Sequence, residues 1–98
     1  MSTPQITLEQ YEKLVPACVV EHEGIRMRFW TPSVTTRMRV DTIRTKEPWT
    51  LEWIGAFAEG ETLVDVGANV GMYTIWAAAT RKARVVAFEP EAQNYALL

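Results

Sequence analysis

A glycine-containing turn between two apolar segments is the feature that most restricts the folds open to this chain. The run Leu63–Val66 predicts a strand, residues 67–71 form the turn, and a helical segment leads to a second strand over 84–88. A lone acid, Glu89, follows that strand, which completes the pattern of a nucleotide-binding βαβ unit. A helix between two strands implies parallel pairing. The sequence therefore predicts an α/β fold with a ligand loop at the carboxyl ends of parallel strands.

The spacing of the glycines indicates which kind of nucleotide ligand to expect. The dinucleotide fingerprint G-x-G-x-x-G would require glycine at positions 69 and 72, where this chain has Asn69 and Met72. The observed pattern is D-x-G-x-N-x-G, and Asn is one of the few residues other than glycine that tolerate left-handed torsions. One half of an NAD-dependent oxidoreductase remains an alternative, which this spacing disfavours.

Two stretches carry a resemblance to a known family. Asp65-Val-Gly-Ala-Asn-Val-Gly-Met-Tyr-Thr74 and Ala87-Phe-Glu-Pro90 resemble the FkbM-type S-adenosylmethionine-dependent methyltransferases, where D-V-G-A-N-x-G-x-Y-[ST] and F-E-P are usual. Arg39-Val-Asp-Thr42 and Thr45-Lys-Glu-Pro-Trp-Thr-Leu-Glu-Trp-Ile54 also fit the segment ahead of that motif. The resemblance covers residues 35–98 and implies a Rossmann-like class I methyltransferase fold with S-adenosylmethionine as its cofactor.

The resemblance also implies a set of cofactor-binding residues. Asp65 would organise the loop near the methionine end, and Glu89 would accept hydrogen bonds from the ribose hydroxyls. The residues expected to contact or shape the cofactor site are Asp65, Gly67, Ala68, Asn69, Gly71, Tyr73, Thr74 and Glu89. The structural alternatives are that Asp65 only ties down the turn, that Glu89 caps a helix, and that Tyr73 and Thr74 serve packing or capping. No catalytic base is identified, and no Cys/His cluster predicts a metal site.

The expected reaction is methyl transfer to a hydroxyl oxygen of a sugar, glycan or polyketide. A complete class I fold needs about 200 residues or more, whereas this chain has 98 and stops within a helix predicted to begin at Pro90 and Glu91. We therefore expect an N-terminal helix and hairpin segment over 1–48 and the start of the cofactor domain over 49–98. A missing C-terminal part or a second chain would complete it, and the chain alone would be inactive. A truncated remnant or a non-catalytic binding module is the alternative.

Local patterns predict the elements ahead of the βαβ unit. Thr7 and Gln10 have the spacing of a capping box, so a short helix should begin there and end before Pro16. Residues 17–22 and 25–30 read as a hairpin about Glu23-Gly24, with Glu21 opposite Arg26. Residues 34–44 fit either a strand or a short helix.

Helical spacing is clearer in the second half of the chain. A helix should run from Pro48 to Gly60, and another from Gly71 to Lys82. The apolar stripe of the second helix is formed by Met72, Ile75, Trp76 and Ala79.

Composition limits location and partners. With 48% hydrophobic residues, a net charge of −2, no apolar run of membrane-spanning length and no signal-peptide pattern, the chain is expected to be cytoplasmic. The single cysteine, Cys18, offers no internal disulfide, in keeping with a reducing compartment.

The charged residues ahead of Pro48 have two interpretations. Six basic residues and one acid lie within 26–46, which suits either an anionic substrate or nucleic acid, or a solvated face with local ion pairs. The overall acidity favours the solvated face, so we do not expect nucleic-acid binding. Lys46 and Glu47 could border the cofactor mouth, although a solvated pair is the preferred interpretation. His22 is expected to be an exposed strand residue.

Overall fold

The computed structural model of the chain describes residues 5–14 and 16–98; residues 1–4 and 15 of the predicted N-terminal segment lie outside the described residues. The described residues form a mixed α/β structure with two small sheets. The elements are α1 (Leu8–Glu12), β1 (Ala17–His22), β2 (Ile25–Trp30), α2 (Val34–Asp41), α3 (Pro48–Gly55), β3 (Thr62–Val66), α4 (Met72–Arg81), β4 (Arg84–Phe88) and α5 (Ala92–Leu97).

The first sheet is the predicted antiparallel hairpin of β1 and β2. Its turn residues Glu23 and Gly24 both have positive φ, 49° and 79°, as a two-residue type I′ turn requires. The register places Glu21 opposite Arg26, and the two side chains form an exposed ion pair at 3.3 Å. Both the hairpin and its cross-strand pair are therefore confirmed.

The second sheet pairs β3 with β4 in parallel, which confirms the strand–helix–strand prediction. Val66 lies opposite Phe88 at the carboxyl end of the two strands. Helix α4 connects them, so the turn that precedes this helix and the acid that follows β4 come to the same edge of the sheet. That edge positions the candidate site.

Helix α4 joins the two sheets into one hydrophobic core. It packs against β2, β3, β4 and α3. Trp76 and Ala77 are almost completely buried on it, and Ala77 has no side chain beyond Cβ to hold the strands apart. The core cluster consists of Met27, Phe29, Val40, Ile43, Ile54, Phe57, Leu63, Trp76 and Ala77. Of the predicted stripe, Met72, Ile75 and Ala79 are only partly buried at its margin.

Capping explains where the shorter helices begin. The Thr7 and Gln10 capping box of α1 is present as predicted. Of residues 34–44, for which the sequence fits either a strand or a short helix, 34–41 form the helix α2. Ser33 and Thr36 form reciprocal capping hydrogen bonds at its first turn.

Two predicted helix boundaries are wrong. Helix α3 ends at Gly55 with Ala56 as its C-cap, and Gly60, at φ 83°, lies in the turn leading to β3. Helix α5 begins at Ala92, because the Glu91 carboxylate accepts the Asn94 amide at 2.9 Å and so forms the N-cap. Pro90 therefore lies outside the helix that it was expected to open.

His22 lies in strand β1 as predicted, but it is half-buried rather than exposed. Its ring lies against the indole of Trp76, with the centroids 4.7 Å apart and the ring planes tilted by 44°. The guanidinium of Arg44 lies 5.8 Å from the centroid of the same Trp76 ring, within cation–π range. Hairpin and helix thus meet through an aromatic contact that strand periodicity alone does not reveal.

One face of the parallel sheet has no cover among the described residues. Val64, Val66, Val86 and Phe88 point away from α4 and are 47–78% exposed. Parallel strands are normally buried on both faces, and both outer edges here also lack a neighbouring strand in the described sheet. None of the described helices has the length and apolar character needed to cross a membrane.

We expect the 98-residue chain to self-associate in solution through this open sheet face. Replacing two of its residues, Val66→Lys and Val86→Lys, should weaken association by at least about tenfold, because each valine removed from a contact forfeits about 1.5–3 kcal/mol. Sedimentation velocity over a concentration series measures the effect. Thr62→Lys, on the same face but without loss of an apolar group, is the control. A monomeric parent chain with a sharp, cooperative melt would contradict the prediction.

Candidate functional site

The loop over 67–71 leaves β3 through a series of left-handed residues. Gly67, Asn69 and Gly71 have φ of 74°, 59° and 91°, so the Asn at the middle position adopts the left-handed torsion predicted for it. A Cβ built on Gly67 would have no neighbouring heavy atom within 4 Å. The backbone at Gly67 therefore borders open space that a ligand could approach closely.

Gly71 begins α4 as its N-cap. A Cβ at this position would lie 2.7 Å from Cδ1 of Leu98. The leucine side chain is flexible enough to turn away, so the positive φ is the stronger reason for glycine here.

Three successive amides attach the loop to the end of β4. The N–H groups of Gly67 and Ala68 both donate to the Phe88 carbonyl, at 2.8 and 2.9 Å. The next amide, Asn69 N–H, donates to Oε1 of Glu89 at 2.8 Å. The loop is thus fixed against the neighbouring strand, and ligand contacts from these residues would come from groups other than their amides.

Glu89 links the loop to the start of α5. Its Oε2 accepts the Glu91 amide at 2.9 Å, while Oε1 accepts that of Asn69. These two hydrogen bonds, the Glu91 amide first, lower the pKa of Glu89 below its ordinary value of 4.5. Its ionised form therefore stabilises the fold above that value, and the contribution is lost as the pH falls through the lowered pKa.

Glu91, and not Glu89, is the N-cap of α5, although Glu89 accepts the backbone amide of that N-cap residue. A carboxylate offers about four lone-pair sites, and the two amides occupy two of them. Glu89 therefore retains capacity to accept further hydrogen bonds at the carboxyl edge of the sheet.

Asp65 and Thr74 form a contact of their own. The Thr74 hydroxyl donates to Oδ2 of Asp65 at 2.6 Å, which joins the end of β3 to the first turn of α4. This hydrogen bond joins the two elements on either side of the loop, as expected if Asp65 stabilises the turn. A role for Asp65 toward the cofactor stays a prediction.

A cleft of about 250 Å³ opens on one side of the loop. It is lined by Arg39, Thr42, Ile43, Lys46, Glu47, Gly67, Ala68, Asn69, Met72 and Tyr73. Of the predicted site residues, the structure thus brings Gly67, Ala68, Asn69 and Tyr73 to its wall, whereas Asp65, Gly71, Thr74 and Glu89 support the loop outside this lining. Wider clefts beside α1 and beside Trp76 contain no residue of the loop.

Glu47 is a site residue that the preferred sequence interpretation missed. It was expected to be a solvated neighbour of Lys46, but it is partly buried, and its Oε2 accepts the Tyr73 hydroxyl at 3.0 Å. Burial, and then the hydrogen bond to Glu47, raise the pKa of Tyr73 to about 12. The available signal was the position of Glu47 directly ahead of Pro48, at the start of a helix next to the ligand loop.

Asn69 contributes an acceptor that lacks a partner. Its Oδ1 is buried and receives no hydrogen bond among the described residues. Leaving such a group unpaired costs about 1–3 kcal/mol. The cost would fall if a donor reached this wall of the cleft.

Comparison of the chain with family models, with curated proteins and with solved structures finds no match. Within residues 5–14 and 16–98, no group of three or more His, Cys, Asp or Glu side chains is placed to hold a metal ion. The loop, its acids and the cleft are therefore the features from which we infer the function.

We expect Tyr73 to remain protonated well above the ordinary tyrosine pKa of 10. Because the pKa is raised on folding, the stabilisation is complete below pH 10 and is lost as the pH rises through about 12. Glu47→Gln removes the negative charge and should lower the Tyr73 pKa toward 10. Nuclear magnetic resonance of the Tyr73 ring carbons against pH measures it, with Glu52→Gln on α3 as the control. An unchanged pKa in the Glu47 variant would show that the hydrogen bond has no influence.

Proposed function

We propose that residues 49–98 begin the S-adenosylmethionine-binding domain of a Rossmann-like class I methyltransferase of the FkbM type. Strand β2 of the preceding segment packs against helix α4 of this domain. The observation that carries the proposal is the hydrogen bond from Asn69 N–H to Glu89 Oε1. This hydrogen bond connects the loop that follows β3, whose glycines have positive φ, with the acid that follows the neighbouring parallel strand β4. Open α/β sheets bind nucleotide ligands at this edge.

The residues present fit the proposed cofactor on three counts. Glu89 keeps lone pairs for ribose hydroxyls, since its two bonded amides use only part of its capacity. The space over Gly67 admits a ligand to the backbone. The unpaired Oδ1 of Asn69 offers an acceptor on the adjoining wall.

Each residue would then have a defined task. S-adenosylmethionine, when bound, supplies an electrophilic methyl carbon on its sulfonium. Glu89 would hold the ribose through charge-assisted hydrogen bonds. The hydrogen bond between Thr74 and Asp65 would keep the end of β3 and the first turn of α4 in a fixed relative position. Catalysis would depend on holding the acceptor oxygen close to that carbon, with a base taking its proton.

We further propose that the acceptor is a hydroxyl of a sugar, glycan or polyketide and that the reaction takes place in the cytoplasm. The lone Cys18 supports this location, because it leaves no internal disulfide for an oxidising compartment to form. The open face of β3 and β4 supports completion of the sheet by further strands and helices, from a C-terminal part or a second chain.

The first test concerns ligand identity. We expect S-adenosylmethionine and S-adenosylhomocysteine to bind the chain and NAD not to bind, since Asn69 and Met72 replace two glycines of the dinucleotide fingerprint. Equilibrium dialysis at protein concentrations where the chain stays dispersed measures all three ligands. Tighter binding of NAD than of S-adenosylmethionine would refute the proposal.

The second test concerns the acid. Glu89→Gln retains the shape but replaces one acceptor oxygen with a donor, so it should weaken S-adenosylhomocysteine binding by at least about tenfold. The free chain should lose some stability as well, because the new NH₂ group would face a backbone donor. Calorimetry and thermal unfolding separate the two effects, and Glu52→Gln serves as the matched control. Unchanged affinity would limit Glu89 to holding the loop.

A further inference from the structure

The cleft beside Trp76, called here the Trp76 cleft, is separate from the site assigned to the cofactor. It has a volume of about 530 Å³ and is lined by residues of the hairpin turn, α3 and α4. It contains no residue of the ligand loop and none of the residues given a cofactor role above. Small-molecule sites usually measure about 300–1,000 Å³, so the Trp76 cleft has the size to hold a second ligand.

Two arginines of the Trp76 cleft are held by backbone carbonyls. Arg44 donates from Nη2 to the carbonyl of Glu21, and Arg81 donates from Nε to the carbonyl of Phe57 at 2.9 Å. Neither guanidinium forms an ion pair with a carboxylate in the described part of the chain. A carbonyl fixes the position of a guanidinium without neutralising its charge. Both charges therefore remain uncompensated at the cleft, which favours an anionic ligand.

Arg44 also has donors to spare for such a ligand. A guanidinium carries five N–H groups, and the bond to the Glu21 carbonyl uses one of them. The same guanidinium lies 5.8 Å from the centroid of the Trp76 ring, which is only 3% exposed. Because the carbonyl and the indole already restrict Arg44, little side-chain freedom would be lost when it binds an anion.

Two acids of the Trp76 cleft limit the charge of the ligand. The side chain of Glu23 is 84% exposed and lies 3.8 Å from Nε2 of His22, while Glu52 is exposed on α3. Both can turn toward water, but each would repel a second negative charge on a bound molecule. A carboxylate with one charge fits this setting better than a phosphate monoester with nearly two.

The walls of the Trp76 cleft favour a flat apolar body on that carboxylate. Pro48 and Leu51 form an apolar wall on the side of α3. On the side of the hairpin is His22, whose ring is placed by its contact with Trp76. An aromatic ring offers these two walls a large contact area and loses little conformational freedom on binding.

We propose that the Trp76 cleft binds a small aromatic carboxylate, with the carboxylate at Arg44 and the ring between His22 and Leu51. Arg81 adds to the positive potential of the cleft. The proposal goes beyond the cofactor site and does not depend on it, because neither the ligand loop nor Glu89 takes part.

The test compares indole-3-acetate with indole-3-acetamide, its neutral counterpart, on the full 98-residue chain. Indole-3-acetate should bind at least about tenfold more tightly, because the amide cannot form charge-assisted hydrogen bonds with a guanidinium. Nuclear magnetic resonance titration measures both affinities through the indole N–H of Trp76 and the amide of Thr80. The loop amides of Gly67 and Ala68 should keep their chemical shifts.

The first variant tests the cation. Arg44→Gln, at an exposed position, should weaken indole-3-acetate by about tenfold or more and leave indole-3-acetamide unchanged. Arg26→Gln is the matched control, because Arg26 belongs to the hairpin but pairs with Glu21 at 3.3 Å outside the Trp76 cleft. It should not alter the preference for the acid.

The second variant tests the space. Gly55, the last residue of α3, lines the Trp76 cleft, and a Cβ built on it meets no heavy atom within 4 Å. Gly55→Leu can therefore extend into the cleft without displacing the backbone. It should weaken indole-3-acetate by at least about tenfold with no fall in the melting temperature, since leucine favours a helix more than glycine does. Gly55→Ala, which adds a single methyl group, is the control.

Four outcomes would overturn the proposal. They are equal affinity for the acid and the amide, unchanged affinity in both Arg44→Gln and Gly55→Leu, tighter binding of phenyl phosphate than of indole-3-acetate, and displacement of indole-3-acetate by S-adenosylhomocysteine. The last would place the carboxylate in the cofactor site. Failure of S-adenosylhomocysteine to bind, with the acid still preferred and both variants still weakened, would support the Trp76 cleft and refute only the proposed function.

Discussion

The packing of α4 against both sheets is the interaction on which the rest of the structure depends. Trp76 contacts His22 of the hairpin, and the small side chain of Ala77 lets the helix approach the strands closely. Without this helix the antiparallel pair and the parallel pair would share no core, since each sheet has only two strands. The ligand loop ends at the first residue of this helix, so the packing of α4 in the core also determines the position of the loop.

Local features of the fold were predictable because a few neighbouring residues determine them. The hairpin follows from alternation and from Glu23-Gly24, and the βαβ unit follows from two apolar runs around an amphipathic helix. The left-handed torsion of Asn69 follows from an asparagine at the middle position of the glycine pattern, since Asn tolerates that conformation. Helix ends were less predictable, because a single capping hydrogen bond decides them. The Glu91 side chain caps α5, so this helix begins at Ala92 and not at Pro90.

The part of the site that sequence reasoning missed depends on contacts between distant segments. Tyr73 and Glu47 are 26 positions apart, and only the packing of α3 beside α4 brings their side chains together. The contact of His22 with Trp76 likewise requires the hairpin to fold onto α4. Periodicity reports which face of an element is apolar, but it does not report which other element covers that face.

The hydrogen bonds of three consecutive loop amides affect the affinity and the rate with which a ligand would bind. The N–H groups of Gly67, Ala68 and Asn69 are already bonded to Phe88 and Glu89 before any ligand arrives. Binding would therefore require little further loss of backbone freedom in this loop, and more of the interaction energy would appear as affinity. Association should also proceed without a slow closing step, at a rate set by diffusion and by the orientation of the incoming molecule.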